Sequence, residues 1–113
     1  MSTNSEIILS NSTHPGDSSL ETVVGANFKG DGYYGRSDGF HTVQYTYSAL
    51  SGTITIQATL AINPVEEDWF DVHVYAAIEE TDSKIANFTG NYVWIRAQLV
   101  YTDGTIDSIV LNH

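Results

Sequence analysis

The sequence predicts an all-β protein: a single antiparallel β-sandwich of about seven strands over residues 20–113, preceded by an N-terminal arm over residues 1–19. Three observations lead there. In Gly52 to Ala61, the apolar residues Ile54, Ile56, Ala58 and Leu60 alternate with Thr53, Thr55, Gln57 and Thr59, a period of two that places them on opposite faces of a strand. Similar alternation recurs at 41–47, 71–78 and 91–101, with turn-forming residues between the segments. Only Asn63 to Asp68 carries helix-start chemistry, enough for one turn. A sheet with one apolar face must bury it on a second layer, which favours a sandwich; a closed barrel is the alternative.

Taken in order, residues 1–19 are mostly Ser, Thr, Asn, Gly and Asp, a composition that cannot order itself alone. Within them Ile7-Ile8-Leu9 either forms a short edge strand or docks on a neighbouring subunit. His14-Pro15-Gly16-Asp17 is a turn, and Glu21 to Val24 a short strand. The glycine-rich stretch from Gly25 to Gly39 contains Gly30-Asp31-Gly32-Tyr33-Tyr34-Gly35, which matches a dinucleotide-binding fingerprint in letters only. That motif needs a helix to follow it, and no helical period does, so the glycines read as loop residues.

Val43, Tyr45 and Tyr47 form the inward set of the next strand, and Ala49 to Gly52 looks like the connection of a hairpin to the strand beginning at Thr53. After the turn at 63–68, Trp69-Phe70 closes against the core, with Trp69 mostly buried over one end of the sandwich. Val72, Val74, Ala76 and Ile78 are expected inward, Asp71, His73 and Tyr75 outward. Glu79 to Ser83 reads as a solvated loop. Val93, Ile95, Ala97 and Leu99 are expected inward, Trp94, Arg96 and Gln98 outward. Thr102-Asp103-Gly104 reads as a hairpin turn before a last, irregular strand from Ile106 to Leu111.

The 113 residues fit one domain with one core, and the absence of cysteine leaves that core to hold the fold. Fourteen acidic residues against four basic ones give a formal charge of −10, the wrong sign for binding nucleic acid. No apolar run approaches the roughly 20 residues of a membrane helix, and no signal-peptide pattern opens the chain, so synthesis in the cytoplasm is expected. Asn11-Ser12-Thr13 and Asn87-Phe88-Thr89 are chance matches to the glycosylation pattern on this view.

No catalytic, cofactor-binding or metal site is legible. The histidines His14, His41, His73 and His113 are scattered, with no pair at ligand spacing. Glu66, Glu67, Asp68 and Asp71 are the densest acids, but they follow no calcium-loop pattern and read as a solvated turn. No serine sits in a nucleophile elbow. Tyr33, Tyr34, Trp94 and Tyr75 could form an outward platform for sugars or a protein, or simply fill the rim of the core.

The run from Gly30 to Gly35, Asp38-Gly39-Phe40-His41-Thr42-Val43, the strand from Gly52 to Leu60, Asp68-Trp69-Phe70, Asn87 to Ala97 and Gly104-Thr105-Ile106 together resemble the small β-sandwich structural proteins of tailed-phage virions, especially those of cyanobacterial phages. The resemblance covers about residues 25–112. It implies a non-enzymatic role in the virion, most simply decoration and stabilisation of the outer capsid surface after synthesis in the host cytoplasm. The implied partners are the major capsid protein or other virion proteins, with self-association left open. Partner contacts are expected at Ile7, Ile8, Leu9, Tyr33 and Tyr34. A neck, tail or fibre module, glycan-binding in host attachment, is the alternative, and a hydrolase would need a cleft with convergent acids of shifted pKa.

Overall fold

The computed structural model describes residues 5–16, 19–30 and 40–112. Their strands form one antiparallel sheet: β1 (Ser5–Leu9), β2 (Ser12–Thr13), β3 (Glu21–Val24), β4 (Phe28–Lys29), β5 (Phe40–Thr59), β6 (Phe70–Thr89) and β7 (Trp94–Asn112). β5 lies between β6 and β7 and pairs with both along most of its length. On its other side β7 takes four short partners in succession: β1 near its end, then β2, β3 and β4 toward its start.

The three long strands do not run straight. Each carries a positive-φ residue near its middle, Ala49 at 49°, Glu79 at 46° and Gly104 at 98°, and the β5 pairings slip register between Tyr47 and Gly52. These residues are neighbours across the sheet. The Glu79 N–H donates to Ser51 Oγ at 3.0 Å, and a Cβ on Gly104 would collide with the Ala49 carbonyl oxygen. They define a crease along which the sheet folds over itself. One layer holds β1, β2 and the segments 41–48, 80–89 and 105–112; the other holds β3, β4 and the segments 51–59, 70–78 and 94–103. The Cα atoms span 17 Å along the shortest axis, depth for two packed sheets and no third.

The inner faces build a single core. Val43, Tyr45, Tyr47, Ile109 and Leu111 come from one layer, and Ile54, Ile56, Ala58, Ile95, Ala97 and Leu99 from the other. Gly25 lies where the layers meet, its Cα backed against the Ile8 carbonyl, and its N–H donates to the Ala97 carbonyl at 2.8 Å. His41 is buried and stacks on Phe88 with ring centroids 5.1 Å apart.

The all-β sandwich is therefore as expected, but its connections differ. The expected hairpin at 49–52, loop at 79–83 and turn at 102–104 are one feature, the crease, and the strands continue through it. Turn-forming residues there supply the bend of a long strand rather than its end. The expected arm over 1–19 does not hold for residues 5–14. β1 and β2 pair with β7, Ile8 and Leu9 are core residues, and His14 is buried against Tyr101, ring centroids 5.0 Å apart. The Gly16 N–H donates to His14 Nδ1 at 2.9 Å, which leaves Nε2 to donate to the Ser19 carbonyl at 2.6 Å. A polar segment gains order here because the open edge of β7 satisfies its backbone groups.

β6 also departs from the expected facing. Ile56 pairs with His73 but Gln57 pairs with Asp71, so Val72 is an extra residue, a β-bulge. Asp71 and Val72 face as the alternation predicts. Beyond the bulge the parity inverts, turning His73, Tyr75 and Ala77 inward and Val74, Ala76 and Ile78 to solvent, with Ile78 85% exposed.

Candidate interaction surface

The connection from β5 to β6 folds back over the end of the second layer and is pinned there by one buried cation. Arg96, only 6% exposed, projects from the outer face of β7. Its guanidinium donates to both Glu66 carboxylate oxygens, at 2.7 and 3.3 Å, while Nε donates to Gln57 Oε1 at 2.8 Å. Trp69 covers the guanidinium, 4.4 Å from carbon to ring centroid. Gln57 in turn donates to Asp71 at 3.1 Å. The Arg96 hydrogen bonds, then its charge, hold the Glu66 carboxyl below its ordinary range. Trp94 completes the clamp, donating Nε1–H to the Ile62 carbonyl at 2.9 Å. Within the connection a 3₁₀ turn, Glu66–Asp68, is closed by the Asp68 carboxylate, which accepts the Val65 N–H at 2.9 Å.

Beside this connection, at the end of the sandwich, lies a cleft of about 510 Å³. Its apolar lining is Ala58, Leu60, Phe70, Val72 and Tyr92, and the carboxylates Glu67, Asp68 and Asp71 stand at its rim. Two of the large apolar side chains that line it face water: Leu60 is 68% and Phe70 69% exposed. Single exposed apolar residues are ordinary, but a contiguous group bordering a concavity marks an interaction surface.

A second polar cluster closes the long side of the sandwich, where β6 is the sheet edge. Tyr47 and Tyr75, from opposite layers, both donate their hydroxyls to the Glu80 carboxylate. Burial, then the hydrogen bond to Glu80, pushes the Tyr47 phenol up, and the two tyrosines hold Glu80 below the usual carboxylate range. Lys84 lies 5.9 Å from the Tyr75 ring centroid and 3.3 Å from Asp82. These groups satisfy one another, which makes the cluster a structural seam. An inward-pointing lysine on an edge strand also discourages edge-to-edge pairing.

Of the partner-contact residues expected from sequence, Ile8 and Leu9 are in the core and Ile7 is 60% exposed on β1. Burial in the sandwich removes Ile8 and Leu9 as contacts. Tyr33 and Tyr34 lie outside the described residues. Tyr75 points inward, and Trp94 is outward but committed to Ile62. Trp69 is half-buried on the outer face over Arg96 rather than capping the core. The sequence pattern puts the cleft residues Leu60 and Phe70 inside; both sit where regular pairing ends, so alternation no longer fixes their environment. Among the described residues no group of three or more His, Asp or Glu side chains converges to hold a metal ion.

No protein-family model and no curated protein matches the chain by sequence. Solved structures share its fold. The SPBc2 prophage-derived protein YomS superposes with a TM-score of 0.63 at 13% identity, over 98% of this chain and 92% of that one. A cleaved adhesin domain of Lys-gingipain from Porphyromonas gingivalis gives 0.53 at 7% identity, over 98% of both chains. A mutant of CBM29-2, a family 29 carbohydrate-binding module, gives 0.50 at 13% identity, over 98% of this chain and 93% of that one. At such identities the likeness is one of fold: the chain adopts an all-β sandwich that a prophage-derived protein also adopts.

Proposed function

We propose that the chain is a non-enzymatic structural module of a tailed-phage particle, which decorates the outer capsid surface and stabilises the shell. The observation that carries this reading is the exposed apolar end of the sandwich. Leu60 and Phe70 stand in water at a preformed cleft, on a chain of charge −10. A module of that kind gains by being covered, and it needs no chemistry to do so. The fold shared with a prophage-derived protein supports a phage setting. The net charge supports an outer position, since packaged DNA repels an acidic surface.

A binder that prefers the assembled shell to free subunits stabilises the shell by mass action. Particles purified from the phage that encodes the chain should contain it at a copy number in fixed proportion to the major capsid protein. Particles stripped of it should lose integrity at lower temperature. Labelled protein that maps to the tail or fibres and never to the capsid would replace this reading with a tail module. Glycan binding would then be the property to examine, in view of the fold shared with CBM29-2.

A further inference from the structure

The cleft specifies the chemistry of what covers it. Its floor is apolar, but Glu67, Asp68 and Asp71 ring it, and the hydrogen-bond donors they meet, the Val65 N–H on Asp68 and the Gln57 amide on Asp71, carry no charge. The nearby cation, Arg96, is committed to Glu66. An occupant must therefore bring positive charge to the rim as well as apolar surface to the floor.

We propose that the cleft docks a segment of a partner protein in which an apolar side chain is flanked by lysine or arginine. The apolar side chain fills the space between Phe70 and Tyr92, and the basic heads reach Glu67, Asp68 and Asp71 while their stems lie along Leu60 and Val72. The inference rests on the reading of the chain as a docking module and names the chemistry of its partner. Other occupants fit less well. A wholly apolar partner would strip water from three carboxylates and give nothing back. A second copy of this chain, with fourteen acids against four basic residues, would bring acid against acid. An anionic ligand is repelled. Because Arg96 and Trp94 already pin the connection, binding orders little of the chain, and that lowers its entropic cost.

The test uses the whole chain, ¹⁵N-labelled, titrated with a blocked peptide of sequence Lys-Leu-Arg-Phe-Lys-Leu and followed by NMR. Shifts should concentrate on Leu60, Phe70, Val72 and Tyr92. A triple variant, Glu67→Gln with Asp68→Asn and Asp71→Asn, should lose about tenfold in affinity. An equal-charge control, Glu79→Gln with Asp103→Asn and Asp107→Asn, should stay within about twofold of the parent. Phe70→Ser, at an exposed position, should weaken binding while leaving the melting temperature in place. Equal losses in the two triple variants would reduce the effect to general attraction by net charge and overturn the proposal. Shifts elsewhere on the chain would overturn it too, as would an equal response of the cleft to cellohexaose. Those outcomes would leave incorporation into particles, measured separately, untouched.

Discussion

Tyr45 and His73 meet across the sandwich, the hydroxyl of one 3.0 Å from Nε2 of the other, although they belong to opposite layers. The contact exists because the bulge at Val72 turns His73 inward. Burial holds the imidazole below its ordinary value of 6.5. The unfolded chain therefore takes up a proton near that pH which the folded chain resists. The stability involved is full above 6.5 and is lost as pH falls through the folded value. The melting temperature should drop as pH falls below 6.5, and His73→Gln should remove most of that slope. An unchanged slope in the variant would show that His73 is not the group responsible.

The crease makes opposite demands on its two small residues. Gly104 has φ 98° and no room for a Cβ, so Gly104→Ala should cost more than about 2 kcal/mol in urea unfolding. Ala49 already tolerates φ 49°. In Ala49→Gly the relieved strain and the added unfolded-state freedom are each about 1 kcal/mol and opposed, so stability should change by less than about 0.5 kcal/mol. Equal effects at the two sites would contradict the crease.

Ile56 and Ile95 are fully buried diagonal neighbours on β5 and β7, since Ile56 pairs with Ala97 and Ala58 with Ile95. Alanine at either should cost about 2–5 kcal/mol. Because the two cavities would merge, the double variant should cost measurably less or more than the sum of the single ones. Chemical denaturation of all three variants reads this directly.

Removing Arg96 should release the β5–β6 connection without unfolding the sandwich. In a Trp94→Phe background, Arg96→Met should make Trp69 readily quenched by iodide while the β-sheet circular dichroism is retained, because the guanidinium is what Trp69 rests on. Quenching that does not change would mean that Trp69 is held by other contacts.

Alternation alone places the inner faces of β5 and β7 correctly: Ile54, Ile56 and Ala58, with Ile95, Ala97 and Leu99, are the heart of the core. Two signals mislead. Ala49 to Gly52 and Thr102 to Gly104 carry residues suited to turns, and such residues serve equally to bend a strand that continues. The extra residue at Val72 is invisible in composition, yet it inverts the facing of everything to Ile78. The cleft is hidden for a related reason. Leu60 and Phe70 look like core residues, but both stand where the β5–β6 ladder ends, beside a connection that Arg96 ties down through Glu66 and Trp69, about thirty residues before it in the chain.

The crease also governs how the molecule comes apart. Because β5, β6 and β7 each cross from one layer to the other, neither layer is a separable piece of chain, and no domain boundary lies between them. Peeling one layer away would tear the ladders of the other along the same three backbones. Loss of structure should therefore be a single concerted event with a high barrier, and folding correspondingly slow, since partners such as Tyr45 and Ile109 must find each other across most of the sequence. Persistence is then set by the rate of opening as much as by the equilibrium.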